Sequence, residues 1–230
     1  MYKIEDVSKS YGDLKVLDNI SVEFAAGKTT CLLGPSGCGK TTVLKILAGI
    51  EVADSGTVEG FSGEDISFVF QEDRLIPWRT VAENLEFVLG KAAEGKENGI
   101  DQLLERAGLM KYREYYPKKL SGGIRKRVGI LRALIYSSSI MLMDEPLSSV
   151  DAANKKVMMD LIKEVAASEN RTCIFVTHDI DEAIEISNRI VILSDKPANI
   201  KAVLENSYIG NPSVEGMLEM RKKIEEQIVR

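Results

Sequence analysis

A chain of 230 residues, 44% hydrophobic and 28% charged, has the make-up of a globular protein that buries a core. Its length fits one domain, or one domain carrying an inserted subdomain. A net charge of −5 without a concentrated basic patch argues against nucleic acid as the main ligand, and the short clusters Lys118-Lys119 and Arg125-Lys126-Arg127 read as a solvated helix face.

Met1–Tyr11 alternates charged and apolar residues, unlike a targeting signal. No run approaches the roughly 18 apolar residues that span a bilayer, so work at a membrane would need another chain to do the spanning. The cysteines Cys31, Cys38 and Cys173 have neither metal-like nor disulfide-like spacing, which suits a reducing cytoplasm.

Tyr2–Phe24 reads as strands; Ile20, Val22 and Phe24 alternate with Ser21, Glu23 and Ala25 as a half-buried strand requires. Lys28–Leu33 ends in an apolar run suited to a buried strand. Residues 41–48 open a helix, and 57–60 and 65–70 read as short strands. From Thr80 the period becomes helical: Val81, Leu85, Val88 and Leu89 share a face, with Thr80 as N-cap and Glu83 three residues on. Lys91–Gly99 is polar and glycine-interrupted, a loop, and Ile100–Ala107 is a helix ended by Gly108. Ser121 caps a long helix with the stripe Ile124, Val128, Leu131, Ile135. Ile140–Met143, Cys173–Val176 and Ile190–Leu193 are short apolar runs of the kind covered on both faces. Helices read over Val157–Ala167, Asp179–Ser187 and Glu215–Val229, the last with Met217, Met220, Ile224 and Ile228 inward. The segment after about Pro197 matches no motif. The pattern predicts an α/β core of largely parallel strands, an antiparallel region near the N-terminus and an inserted helical subdomain.

The most informative stretch is Gly34-Pro35-Ser36-Gly37-Cys38-Gly39-Lys40-Thr41-Thr42, which fits G-x-x-x-x-G-K-[ST] at Gly34, Gly39, Lys40 and Thr41. Between a strand and a helix, such a loop points backbone N–H groups at one spot on the positive end of a helix dipole, and polyphosphate is the natural occupant. Lys40 would reach the β- and γ-phosphates, and the Thr41 hydroxyl would ligate Mg²⁺. The loop alone leaves the type of nucleotide hydrolase open.

Leu120-Ser121-Gly122-Gly123 narrows the choice. Ser121 offers a hydroxyl, and the two glycines let backbone N–H groups approach a phosphate at a helix N-terminus. Together with Met143-Asp144-Glu145-Pro146 downstream, these motifs make the chain resemble the ATP-binding cassette family over nearly its whole length, specifically the separate ATPase subunit of a transporter. The resemblance implies a phosphate-loop nucleotide hydrolase fold with core segments about 1–74 and 138–205, a helical subdomain about 75–137 and a C-terminal helical tail about 206–230. It implies ATP and Mg²⁺ as cofactors, with Asp144 holding the metal through water and Glu145 activating the attacking water. Gln71 would reach Mg²⁺ and that water. His178, the sole histidine, would contact the γ-phosphate. Tyr11 would stack on adenine. Ser121, Gly122 and Gly123 would bind the γ-phosphate held by a second subunit, and Asp151 would anchor a loop crossing the same interface.

The fifth signature position departs from the family's usual glutamine: it is Ile124, and isoleucine cannot hydrogen-bond there. Leu75–Asn84, with the sole tryptophan Trp78, resembles importer ATPases for nitrate, sulfonate and taurine-like solutes. The implied assembly is an ATP-bound homodimer on transmembrane permease subunits, with an external solute-binding protein acting indirectly, at the cytoplasmic face of the membrane and without nucleic acid. Two alternatives stand beside it: a soluble ABC ATPase outside transport, and a weakly catalytic nucleotide-sensing module. The solute itself is not written in this chain.

Overall fold

A computed structural model describes residues 2–90, 97–209 and 213–229. The N-terminal residues form an antiparallel sheet of β1 (Tyr2–Tyr11), β2 (Leu14–Phe24) and β4 (Ser55–Glu59), in the order β2-β1-β4. Gly12, at φ 59°, supplies the left-handed residue in the tight turn that pairs Tyr11 with Leu14. One face of this sheet is apolar: Ile4, Val7, Leu17, Ile20 and Phe24 pack in one buried cluster with Val43, Leu44 and Leu47 of α1 (Lys40–Leu47).

The second sheet has the order β5-β6-β7-β3-β8-β9. Its strands are β3 (Thr29–Leu33), β5 (Ile66–Val69), β6 (Ile140–Asp144), β7 (Thr172–Thr177), β8 (Arg189–Leu193) and β9 (Ile200–Glu205). All neighbours are parallel except the pair β8 and β9. Every residue of β3, β6 and β7 is buried, as continuous apolar strands covered on both faces should be. Burial pushes the Cys31 and Cys173 thiols up, the latter to about 12, so neither is a reactive group.

Between β5 and β6 the chain leaves the sheet to form α2 (Val81–Leu89), α3 (Glu97–Arg106) and α4 (Gly122–Ile135). The Thr80 hydroxyl accepts from the Glu83 amide at 3.3 Å while the Glu83 carboxylate accepts from the Thr80 amide at 2.6 Å, the reciprocal cap the sequence announces. Asn84, fully buried, ties the preceding turn to the helix. Its amide nitrogen donates to the carbonyls of Ile76, Arg79 and Thr80, and its oxygen accepts from the Ile76 amide at 2.8 Å. Asn84→Ala leaves these buried groups without partners and should lower stability by about 1–3 kcal/mol, measured from the denaturant midpoint.

Several boundaries differ from the sequence reading. The loop expected over Lys91–Gly99 gives way to helix at Glu97, while 91–96 lie outside the described residues. α5 (Ala152–Ser168) starts five residues before the expected Val157, because the Asp151 carboxylate accepts from the Asn154 amide and caps it there. β9 was not foreseen: it is an antiparallel edge strand whose residues alternate only between exposed and half-buried, so its apolar signal is weak. α6 (Ile180–Ile186) and α7 (Val214–Val229) complete the chain, and Met220 and Ile224 are buried as the stripe predicts. Ile228 corrects that stripe, being 42% exposed.

The cluster Arg125-Lys126-Arg127 also departs from expectation. Lys126 and Arg127 are buried, 4% and 8% exposed, rather than solvated. Their charges are met by oxygen acceptors: carbonyls at Phe70 and Gln71 for Lys126, and the Ala107 carbonyl and Asn154 side chain for Arg127. Among the described residues no helix is long and apolar enough to cross a membrane.

Candidate nucleotide site

Register builds the site. Parallel pairing sets Val69 against Met143, Asp144 against Val176, and Leu33 against Thr177. The residues that follow β5, β6, β7 and β3 therefore leave the sheet at one edge, the carboxyl edge where open α/β sheets bind ligands. These are Gln71, Glu145, His178 and the Gly34–Thr42 loop.

A cleft of about 360 Å³ opens there, lined by Ser36, Gly37, Gly39, Lys40, Thr41 and Thr42 together with Gln71, Glu145 and Tyr11. Gly39 needs to be glycine. Its φ is 122°, and a Cβ would lie 2.8 Å from Leu17 Cδ2 and 3.0 Å from Val16 Cγ1. Lys40 Nζ donates to the carbonyls of Gly34 at 2.7 Å and Pro35 at 2.8 Å. Its ammonium is thus held over the loop, where a phosphate would compete for it. Cys38 turns its side chain into the core, so only its backbone faces the loop's interior.

Thr41 Oγ1 donates to Asp144 Oδ1 at 3.0 Å. Burial pushes the Asp144 carboxyl above the usual carboxylate range; the Thr41 hydrogen bond opposes this, and the Glu145 charge adds to it. A cation beside Thr41 and Asp144 would relieve that cost. Glu145 has φ 43°, in the left-handed region that a non-glycine residue adopts only under constraint. Its amide donates to the Val176 carbonyl at 3.0 Å, and its Oε1 lies 3.2 Å from His178 Nδ1. The edge thus groups a phosphate cradle, a hydroxyl–carboxylate pair and a carboxylate–imidazole pair.

Tyr11 is 45% exposed at the cleft mouth, its hydroxyl donating to Glu51 at 3.2 Å. Leu14, Val16 and Lys196 line the same cleft and were not singled out from the sequence. Leu14 and Val16 carry no motif, and Lys196 arrives through the turn after β8. Gly34, Pro35 and His178 border a neighbouring cavity of about 260 Å³ instead, against Leu193 and Ile228.

Ser121, Gly122, Gly123 and Asp151 are not part of this cleft. Ser121 Oγ accepts from the Ile124 amide at 3.4 Å, capping α4. A Cβ on Gly123 would lie 2.9 Å from the Ser149 carbonyl oxygen, so the backbone at Ser149 packs directly on Gly123. Gly122 and Ser149 line a separate hollow with Gln71, Glu72, Asp73 and Arg74. Ile124 is half-buried against the core, consistent with its place on the apolar stripe.

The sheet order, loop and acidic strand end define a phosphate-loop nucleotide hydrolase. The family model described as ABC transporter matches residues 17–148, and the chain belongs to that family. The aliphatic sulfonates import ATP-binding protein SsuB of Bacillus cereus (strain ZK / E33L) is 39% identical over 229 residues, covering 96% of this chain and 91% of the relative. SsuB 1 of Pseudomonas syringae pv. syringae (strain B728a) is 41% identical over 192 residues, 84% of this chain and 80% of the relative. Among solved structures, a dimeric bacterial ABC transporter cassette aligns with TM-score 0.80 at 28% identity, covering 89% of this chain and 98% of the other. The same cassette in a post-hydrolysis state with ADP and phosphate aligns with TM-score 0.78. The chain is an ATP-binding, ATP-hydrolysing cassette.

Proposed function

We propose that this cassette powers solute import through a separate transmembrane permease, by closing on ATP as a head-to-tail homodimer at the cytoplasmic face of the membrane. The observation that carries the reading is the separation of two surfaces on one chain. The cleft holds Lys40, Thr41, Gln71 and Glu145, with His178 beside Glu145, while Ser121-Gly122-Gly123 and Asp151 lie outside it. A two-fold arrangement sets the second surface of one subunit over the cleft of the other, at both sites alike. The dimeric form of the aligned cassette supports this assembly, and the relatives' description as import ATP-binding proteins supports the direction of transport.

In this mechanism the Gly34–Thr42 amides and Lys40 bind the β- and γ-phosphates, and Tyr11 stacks on the adenine ring. Thr41, Gln71 and Asp144, the last through water, would hold Mg²⁺, which when bound neutralises charge on the transferring phosphoryl group. The chemistry of the donors fits: hydroxyl, amide and carboxylate oxygens suit a hard cation that keeps several waters. Glu145 accepts a proton from the attacking water. His178 is bonded to the same carboxylate and holds the γ-phosphate. Ser121 and the amides of Gly122 and Gly123 grip that phosphate from the partner, so hydrolysis removes the bridge and the pair opens.

We assign the permease contact to the helical segment of about residues 75–137. Trp78 is 75% exposed and Phe87 55% exposed, with the Arg79 guanidinium 4.9 Å over the Phe87 ring. A tryptophan left in water on a turn braced by Asn84 suits a docking contact. Trp78→Ala should leave basal ATPase within about twofold and lower ATP-driven uptake in reconstituted vesicles by about tenfold or more. Normal uptake by the variant would remove Trp78 from the contact. An external solute-binding protein and the permease would choose the cargo.

A further inference from the structure

The segment Phe70–Arg74 connects β5 to the helical insertion and carries Gln71, and α4 grips it at four of its five residues. Lys126 Nζ donates to the carbonyls of Phe70 at 2.9 Å and Gln71 at 2.6 Å. Arg125 Nε donates to Asp73 Oδ2 at 2.7 Å, and Arg132 Nη1 to the Arg74 carbonyl at 3.0 Å. Gly129 brings the helix so close that a Cβ would sit 3.2 Å from the Asp73 carbonyl. Arg74 closes the segment on itself, its guanidinium 3.8 Å over the Phe70 ring.

Of these contacts, Lys126 is the informative one. A lysine 4% exposed pays a large desolvation cost unless its charge is used. Its hydrogen bonds are to two main-chain oxygens, one of them on Gln71 itself, and among the described residues its ammonium makes no ion pair within 4 Å. Two carbonyls compensate a buried ammonium less than a carboxylate would. Burial lowers the ammonium's pKa; Asp144, Asp73 and Glu145 act against that, so the charge lies within electrostatic reach of both acidic residues of the site.

We propose that Lys126 is a positioning residue for ATP hydrolysis, holding Gln71 by its main chain and joining the signature helix α4 to the nucleotide cleft of its own subunit. The inference rests on the reading of Gln71 as a residue that faces the metal and the attacking water.

The test is a double-mutant cycle on the full chain, reading kcat and KM for ATP separately at saturating Mg²⁺. Lys126→Met should lower kcat by about tenfold, the scale on which a small misplacement of a reacting geometry acts, with KM for ATP within about twofold. Lys126→Gln, which keeps amide donors for the carbonyls, should recover kcat to within about threefold of wild type. In a Gln71→Ala background, Lys126→Met should cost nothing further, because the residue acts through Gln71. Slow Gln71→Ala with a further, multiplicative loss on adding Lys126→Met would overturn the proposal alone. Gln71→Ala at the wild-type rate would overturn the role of Gln71 and the proposal with it. Should Lys126→Met fail to fold, Lys126→Gln decides: a folded variant as slow as Gln71→Ala overturns the donor role, and near-wild-type turnover supports it.

Discussion

Glu145→Gln is expected to lower ATP turnover by about 10²–10⁴-fold, the usual contribution of a positioned general base, while ATP affinity stays within about twofold. The amide has the shape of the carboxylate but cannot take a proton at neutral pH. It can still meet His178 Nδ1, now 3.2 Å from Glu145 Oε1, so the local arrangement should survive. The backbone constraint survives as well. Glu145 has φ 43° and its backbone N–H donates a hydrogen bond to the Val176 carbonyl, and neither depends on the side-chain charge. With hydrolysis blocked, the γ-phosphate stays in place as the ligand shared by two subunits. The variant should therefore shift from monomer to dimer on adding MgATP, as read by sedimentation or light scattering. A variant that binds ATP and stays monomeric would remove the in-trans role of Ser121-Gly122-Gly123, and the nucleotide-sensing reading that Ile124 keeps open would gain. Undiminished turnover would remove Glu145 from the reaction.

Lys40→Ala should weaken ATP binding by about 100-fold, the equivalent of about 3 kcal/mol, the upper range for hydrogen bonds to a charged group. Lys40 Nζ spans the carbonyls of Gly34 and Pro35, which pins the ammonium over the loop before any nucleotide arrives. Its binding contribution is thus pre-organised rather than recruited from a mobile side chain. A variant lacking it keeps the loop amides and the helix dipole, so adenosine and ADP should lose less affinity than ATP. Titration of all three nucleotides checks this ordering. Equal losses for the three would mean that the substitution disturbs the loop as a whole. Lys40→Arg should not restore binding, because the planar fork cannot occupy a position shaped for a compact ammonium.

The legible parts of this protein are those written in short stretches of chain. Thr80 and Glu83 cap a helix because their reciprocal bonds span three residues. Gly39 and Lys40 announce a phosphate cradle because a backbone that bends through positive φ and a lysine at the helix start do so locally. Continuous apolar runs such as Ile140–Met143 announce strands covered on both faces. The order of motifs along the chain was enough to place the protein in its family.

What lies further apart in sequence was not legible. Arg125-Lys126-Arg127 reads as a solvated patch because charge next to charge in sequence usually faces water. Only the docking of α4 on Phe70–Arg74, more than 50 residues earlier, supplies the buried carbonyls that accept from Lys126. Trp78 reads equally well as core or surface from its identity; the turn held by Asn84 decides that it faces solvent. The edge strand Ile200–Glu205 escapes notice because one side-chain row is only half-buried and the other is exposed, and its register comes from β8 rather than from its own pattern. Sequence by itself determined where the glycine-rich loop, the helix caps and the buried strands lie, since these are set by contacts within a few residues. Tertiary structure decided which of them face one another, since Thr41 meets Asp144 and Glu145 meets His178 only through the register of parallel strands, a pairing that no local interaction specifies.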